Sequence, residues 1–288
     1  SFNGRIEAVQ SVQLRPRVSG YIDAVNYREG DEVKKGQVLF TIDDRTYRAA
    51  LEQAKAELAR ARSQAALARS ESARTEKLIG TQAVSREQWE QRRSAASQAQ
   101  ADVLSAEAAV DMAQLNLDFT RVTAPIDGRA SRAMITTGNL VTAGDSASVL
   151  TSLVSQDRMY VYFDVDEATF LHYQAMARQG QQRGSLPVEI GLAGESGYPH
   201  RGIVDFTDNQ LAASTGTIRM RAQLDNRQRQ FTPGLFSRVR LPGSAEFQAL
   251  LVDDKAVLTD QDRKYVYVVD KEGKAQRRDI QPGAMAEG

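Results

Sequence analysis

Residues 20–36 (GYIDAVNYREGDEVKKG) and residues 128–144 (GRASRAMITTGNLVTAG) carry the same spacing of glycines. In each stretch the second glycine lies ten residues after the first, and the third lies six residues later. Strand-like apolar residues separate the glycines, and glycine suits turns because it reaches positive φ without steric cost. Two copies in register predict an internal repeat, in which each copy forms half of one β-sandwich.

The segment between the copies has a helical composition. Residues 47–117 are rich in Ala, Gln, Glu and Arg, with one break near Gly80. A seven-residue period fills the a and d positions of heptads with Leu51, Ala54, Leu58, Ala61, Ala65, Ala68, Ser72, Thr75 and Ile79 before the break, and with Trp89, Arg92, Ala96, Ala99, Val103, Ala106, Val110, Ala113 and Leu117 after it. This pattern predicts an antiparallel coiled-coil hairpin with arms about 50 Å long. Alanine buries little area, so we expect a weak seam.

Local signals mark the ends of the two predicted helices. Gly80 is expected to end the first helix as a C′ residue. Ser85 and Gln88 form an S-x-x-Q capping box that opens the second helix after a loop of about five residues. Paired carboxylates at residues 43–44 lie where a strand meets the first helix, and we interpret them as helix caps rather than as acid–base groups.

The remainder of the chain is predicted to be mainly β-structure. Short strands separated by turn residues occupy residues 159–165, 186–192, 202–207, 217–224 and 236–241, with a short helix over residues 166–178, and this spacing favours a small antiparallel barrel. A last β segment at residues 249–252, 265–269 and 276–280, with a hairpin turn at residues 271–274, has too few strands for a closed domain. We expect this last domain to be incomplete.

Composition gives no sign of catalysis or of a cofactor. The 288 residues contain 37 basic and 37 acidic side chains, so the zero net charge does not favour nucleic acid as a partner. Cysteine is absent, which excludes disulfides, and no apolar run is long enough to span a bilayer. His172 and His200 are not spaced as a metal pair, and we interpret both as hydrogen-bonded or solvated side chains. Phosphate-binding and dinucleotide-binding motifs are also missing.

Five motifs in the chain resemble those of one family: RPRVSGYI at 15–22, EGDEVKKG at 29–36, TAPIDG at 123–128, STGTIR at 214–219 and PGLF at 233–236. They are similar to the periplasmic adaptor subunits, or membrane fusion proteins, of RND-type tripartite multidrug efflux pumps. The resemblance implies an elongated protein of mixed α and β structure. Its expected parts are a lipoyl-like barrel-sandwich hybrid (13–45 and 118–153), an inserted α-helical hairpin (46–117), a β-barrel (1–12 and 154–244) and a partial membrane-proximal domain (245–288).

The same resemblance implies a function without catalysis. Members of the family link an inner-membrane RND transporter to an outer-membrane channel, with no cofactor or metal. By analogy, six copies would assemble in the periplasm, held at the inner membrane by an N-terminal anchor that this sequence does not contain. Family members carry an Arg-x3-Leu-x6-Ser motif at the hairpin tip that meets the channel, and Arg74, Leu78 and Ser85 have that spacing. Their spacing alone favours structural roles instead: a solvated charge for Arg74, seam packing for Leu78 and a helix cap for Ser85.

Three alternatives stay open at the level of sequence. A lipoyl or biotinyl carrier shares the two-half sandwich but needs a modified lysine in the turn that joins the halves, where this chain has the helical segment. Lys34 and Lys35 lie in a different turn and are interpreted as a solvated pair. An adaptor of a type I secretion system or an ABC-type exporter is the second alternative. A metal-efflux adaptor is less favoured, because Met/His clusters suited to soft metals are absent.

Overall fold

A computed structural model describes residues 1–144, 147–178, 186–241, 250–261 and 263–283. Residues up to Leu241 form one compact unit, and the chain from residue 242 forms a second. In chain order the first unit contains β1 (Phe2–Ala8), β2 (Ser11–Leu14), β3 (Gly20–Val25), β4 (Glu32–Val33), β5 (Val38–Ile42), α1 (Arg45–Ile79), α2 (Arg86–Asp118), β6 (Arg121–Thr123), β7 (Gly128–Ala130), β8 (Leu140–Val141), β9 (Thr151–Val154), β10 (Arg158–Asp166), α3 (Glu167–Arg178), β11 (Leu186–Leu192), β12 (His200–Thr207), β13 (Thr217–Asp225) and β14 (Phe236–Arg240).

The two glycine-marked copies interleave in one sandwich. One sheet has the strand order β2-β9-β7-β4 and the other β6-β5-β3-β8, so each sheet takes two strands from the segment before the helices and two from the segment after them. Both sheets contribute to one apolar core that includes Ile22, Phe40, Leu150 and Leu153, all of them almost completely buried. Neither copy could bury its apolar face alone, which is why the halves must pair across the 78 residues between β5 and β6.

The sequence repeat is also a repeat of backbone conformation. Gly20 begins β3 and Gly128 begins β7. Gly30 and Gly138, the second glycines, have φ values of 84° and 86°, a region that favours glycine. Gly128 is required for a second reason, because a Cβ there would lie 2.3 Å from the carbonyl oxygen of Val154 on the neighbouring strand. The glycine pattern therefore encodes both turns and close strand approach.

Two long helices leave the sandwich between β5 and β6. Helix α1 has 35 residues and α2 has 33, and ion pairs join Arg62 to Glu107 (2.8 Å) and Glu71 to Arg92 (2.6 Å), a nested order that makes the helices antiparallel. Half-buried and buried positions follow the predicted a and d residues along both helices, with Arg92 as the exception. Its side chain is 54% exposed and reaches across the surface to Glu71. The described residues include no helix apolar enough over a sufficient length to cross a membrane.

A closed antiparallel barrel completes the first unit. Its strand order is β1-β10-β13-β12-β11-β14, with β14 returning to β1. Inward-facing Ile6, Val161, Ala222 and Val239 are fully buried, and outward positions on the same strands are polar or aromatic, which is the alternation of a small barrel. Helix α3 packs against β10 and β13 and opens with an Asp166 cap that accepts from the backbone N–H of Thr169 at 2.9 Å.

The N-terminal segment contains two strands. Strand β1 pairs within the barrel, whereas β2 pairs with β9 of the sandwich, beginning at Ser11 and Val154. Residues 9–10 form the crossing between the two sheets, where the backbone N–H of Gln10 donates to Ser155 Oγ at 2.9 Å. The alternation of buried and exposed side chains is interrupted only at residues 9–10, and even-numbered residues are the less exposed ones on both sides of this crossing.

The second unit contains a three-stranded antiparallel sheet. Its strands are β15 (Leu258–Asp260), β16 (Arg263–Val269) and β17 (Ala275–Ile280), in that order, and a single 3₁₀ turn at Asp254–Ala256 precedes them. The hairpin turn predicted at residues 271–274 joins β16 to β17. The strand expected at residues 249–252 is wrong for residues 250–252, which pair with no strand in the described part of the chain, and Ala249 lies outside it.

Candidate functional site

The candidate site is the end of the helix pair farthest from the sandwich, which we call the hairpin tip (residues 74–89). A six-residue loop at 80–85 turns the chain, with Thr81 N–H donating to Leu78 O at 3.1 Å and Gln82 N–H to Ile79 O at 3.2 Å. Gly80 ends the first helix as predicted, but it does so as the C-cap residue, with a right-handed φ of −64°. Gln82 takes the left-handed conformation instead, with a φ of 58°. Helical geometry therefore continues through Gly80 before the chain reverses.

Ser85 is the N-cap of α2, as the capping box predicted. Its hydroxyl oxygen accepts from Gln88 N–H at 3.1 Å, and the Gln88 side chain accepts from Ser85 N–H at 3.3 Å. A serine hydroxyl that accepts one bond still has a proton to donate. Ser85 is also exposed, so the same side chain can hold the helix end and offer a donor to another molecule.

Arg74 and Leu78 lie one turn apart on α1 and share a face of that helix. Both are exposed, and 39% of Leu78 is accessible in the last turn of the helix. An accessible leucine, a cation and a hydroxyl thus stand at the same end of the helix pair. The structure brings Arg74, Leu78 and Ser85 to one tip, where they can form apolar, ionic and hydrogen-bonded contacts with a protein surface.

Trp89 supports the tip from inside. Its ring is half-buried at the seam position predicted for it, and the Arg93 guanidinium lies 5.3 Å from the ring centroid. Among the described residues its indole N–H is buried and has no hydrogen-bond partner, which is unusual for tryptophan. The Arg92–Glu71 pair adjacent to the tip was missed from sequence. The two residues lie 21 positions apart on different helices, and this separation indicates a contact only when the register of the helices is known.

At the base of the hairpin the expected capping roles are only partly correct. Asp44 is the N-cap residue of α1, but its side chain accepts no capping bond and instead pairs with Arg48 at 2.6 Å. Asp43 accepts from the backbone N–H of Arg45 at 3.1 Å. The hydrogen bonds that Asp43 accepts from Arg45 lower its pKa to about 2, and those from the Arg45 side chain contribute more than the one from its backbone N–H. These carboxylates therefore serve the strand-to-helix junction.

The histidines lie away from the tip. His200 Nε2 is 2.9 Å from Glu195 Oε1, and the ring packs edge-on against Phe231. A hydrogen bond from the backbone N–H of Leu192 lowers the pKa of Glu195 below its usual range, and the hydrogen bond with His200 makes a smaller contribution in the same direction. His172 lies on α3 with its ring 5.8 Å from that of Tyr173. No group of three potential metal ligands occurs within the ranges that the structure describes.

Comparison with known proteins gives two family matches that together span most of the chain. The family described as "RND MFP, barrel-sandwich hybrid domain" matches residues 10–153, and the one described as "RND MFPs, beta-barrel domain" matches residues 158–244. The efflux pump periplasmic linker BepF of Brucella suis is 36% identical over 284 residues, covering 99% of this chain and 69% of that protein. The multidrug efflux pump subunit AcrA of Escherichia coli is 34% identical over 281 residues, covering 96% of this chain and 70% of that protein.

Solved structures share the fold. A MacA–MexA chimeric protein containing the Pseudomonas aeruginosa MexA α-hairpin domain aligns with a TM-score of 0.64 and 23% identity, over 85% of this chain and 81% of that one. MacA from Actinobacillus actinomycetemcomitans aligns with a TM-score of 0.60 and 22% identity, over 99% of this chain and 89% of that one. The chain spans 66% of the length of a third relative, the multidrug export protein AcrE of Escherichia coli.

Proposed function

Because this chain belongs to the RND membrane fusion proteins, we propose that it is the periplasmic adaptor of a tripartite drug efflux pump. In this role it joins an inner-membrane RND transporter to an outer-membrane channel. It acts by assembly and has no catalysis of its own, and the transporter's proton gradient drives transport. An N-terminal anchor holds the adaptor at the inner membrane. The relatives named for multidrug efflux support the assignment.

The observation that carries the proposal is the hairpin tip. Helices of 35 and 33 residues end in an exposed cation, an exposed leucine and an exposed hydroxyl, carried by Arg74, Leu78 and Ser85. A helix pair of about 50 Å is long enough to reach a partner beyond the sandwich. We assign the tip as the surface that meets the channel, with six copies side by side presenting six tips in a closed ring.

Drug susceptibility of cells that depend on this chain tests the proposal. Arg74→Asp is expected to abolish resistance while expression and helix content, measured by circular dichroism, stay normal. Ser85→Arg is expected to abolish resistance as well, with fraying at the start of α2 because it removes the N-cap. Leu78→Ser is expected to act similarly, with some fraying at the helix end. If the two charge variants remain fully active, the tip does not dock and its assignment is wrong.

Ser85 allows a sharper separation of docking from capping. Aspartate is as good an N-cap as serine, so Ser85→Asp keeps the helix end but replaces the donor hydroxyl with a carboxylate. We expect Ser85→Asp to lose resistance with a stable hairpin, whereas Ser85→Thr keeps both the cap and the hydroxyl and serves as the matched control. Full resistance in Ser85→Asp would contradict a docking role for this hydroxyl.

A further inference from the structure

The tryptophan at the hairpin tip, Trp89, is the only one among the 288 residues of the chain. Its backbone N–H donates to Ser85 O at 3.1 Å, so the residue lies one turn inside α2. Because the helices are antiparallel and Glu71 pairs with Arg92, Trp89 lies approximately level with Thr75 on α1. The indole ring therefore fills the last part of the seam before the chain reverses.

The seam around Trp89 is the least buried part of the helix pair. On α1 the neighbouring seam positions are Ser72 and Thr75, two half-buried hydroxyl residues. Within residues 52–98, all of which the structure describes, neither helix contains a buried residue. The first buried side chain of α2 is Ala99, almost three turns farther from the tip. Rotation of the Trp89 side chain therefore removes its own contacts and disturbs little other packing.

The indole N–H of Trp89 has no acceptor in this position. Its nitrogen is buried, and none of the described residues accepts a hydrogen bond from it. The Thr75 hydroxyl on the facing helix instead donates to Glu71 O of its own helix at 2.8 Å. A buried donor without an acceptor has lost the hydrogen bond that it would make with water, so this position of the ring carries a penalty that an acceptor would remove.

The polar docking residues of the tip are donors as well. The Arg74 guanidinium has no acceptor atom, and the Ser85 hydroxyl already accepts from Gln88 N–H and keeps its proton to donate. The Arg93 guanidinium covers the Trp89 ring, 5.3 Å from its centroid. A tip that offers donors fits a protein face that presents acceptor oxygens, such as carboxylates or the free carbonyls at a helix C-terminus.

We propose that Trp89 is a further docking residue of the hairpin tip, and that docking moves its side chain from the seam to the partner. In the free chain the ring fills the seam and its N–H is unpaired. In the docked state the ring turns outward, and the N–H donates to an acceptor oxygen of the channel protein. Tryptophan suits this role because it joins a large apolar ring to one donor, and it is common among the residues that dominate interfaces. This inference rests on the proposed adaptor function and adds the residue that changes conformation on docking.

The unpaired N–H is testable in the free full-length chain, because a single tryptophan gives a single indole N–H resonance. We expect its proton at the high-field end of the indole range, as for a donor without an acceptor. Replacing Trp89 by benzothienylalanine keeps the ring shape and puts sulfur in place of the N–H. The urea midpoint of the helix signal should then stay the same or rise, because an unpaired buried donor is removed. A low-field resonance or a lower midpoint would show that the N–H is already bonded, and would overturn the proposal.

Binding to the channel separates docking from packing. The probe is the purified outer-membrane channel that is retained by the full chain from its own cells. Benzothienylalanine in place of Trp89, and Trp89→Phe, are expected to weaken this binding about three- to tenfold, through the loss of one hydrogen bond. Tyr21→Phe removes a hydroxyl from an exposed aromatic ring on the sandwich and is the matched control, which should bind normally. Normal binding by both Trp89 replacements would contradict a docking role for the indole N–H.

Failure of this role and failure of the adaptor function give different results. If Arg74→Asp loses the channel while both Trp89 replacements keep it, the tip docks without Trp89 and the adaptor function stands. If the unaltered chain retains neither channel nor transporter, the adaptor function is wrong, and the docking role of Trp89 fails with it.

Discussion

Arg229 binds Glu32 across 197 residues of sequence and thereby ties the barrel to the sandwich. Arg229 lies in the loop between β13 and β14, and its Nη2 is 3.0 Å from Glu32 Oε2 in β4, with Nε on the other oxygen. Its Nη1 contacts Asp157, in the link between β9 and β10, at 2.8 Å. Within this loop the buried side-chain amide of Asn226 donates to the carbonyls of Gln156 and Phe231. One side chain thus holds three segments at the junction.

We expect Arg229→Ala to loosen the junction more than it destabilises the fold. The ion-paired side chains are more than one third exposed, so the loss of unfolding free energy should stay below about 1 kcal/mol. Spin labels on Asp23→Cys in the sandwich and Arg201→Cys in the barrel should show a broader distance distribution. Arg227→Ala, whose partner Asp225 belongs to the same barrel, is the control. An unchanged distribution in Arg229→Ala would mean that covalent links and packing alone set the angle.

The same contact predicts a pH dependence. Hydrogen bonding to Arg229 lowers the pKa of Glu32 and that of Asp157 below their usual ranges. A depressed carboxyl pKa stabilises the folded state above the unfolded pKa, and this stabilisation is lost as pH falls through the folded value. The distance distribution between labels should therefore broaden in acid below about pH 4. In Arg229→Ala the pKa of Glu32, followed by carboxyl NMR, should return to its usual range.

Replacing glycine by alanine is expected to have opposite effects on stability at Gly128 and at Gly80. A Cβ at Gly128 would meet Val154 O and C at 2.3 and 2.8 Å, and both atoms are backbone, so β7 and β9 must separate. We expect Gly128→Ala to cost about 1–3 kcal/mol of stability, measured as a lower urea midpoint. Gly80 has right-handed φ and open space around its Cβ position. Gly80→Ala should therefore be neutral or stabilise by up to about 1 kcal/mol, and a large loss there would contradict the tip geometry.

Removal of the Ser85 cap should fray the start of α2. Ser85→Ala leaves the Gln88 N–H without its 3.1 Å partner, and the expected loss is about 1 kcal/mol. Faster hydrogen exchange at the amides of the first turn of α2 measures this loss directly. Ser94→Ala, an exposed mid-helix substitution, should slow exchange slightly because alanine is the better helix former. Equal exchange in Ser85→Ala and the unaltered chain would show that the cap is dispensable.

Local chemistry in the sequence determined the repeat, the two long helices, the cap at Ser85 and the grouping of Arg74, Leu78 and Ser85 at one end. Each of these features depends on residues that are close together in the chain or on residue types that recur at a fixed spacing. Such spacings, and the residues that favour turns and caps, can be identified from the sequence without coordinates. The glycine spacing is the clearest example, because positive φ at Gly30 and Gly138 is a property of those residues and their immediate turns.

Tertiary structure alone decided the interleaving of strands, the crossing at residues 9–10 and the ties between distant charges. Arg229 and Glu32 are ordinary surface residues by sequence, and Arg92 occupies a predicted seam position yet bonds Glu71 from outside. Gly80 and Asp44 occupy the cap positions of α1, but the left-handed conformation falls on Gln82, and Asp43 accepts the hydrogen bond from the backbone N–H of Arg45. Contacts of this kind depend on where folding brings remote segments together, and a residue's type and near neighbours do not contain that information.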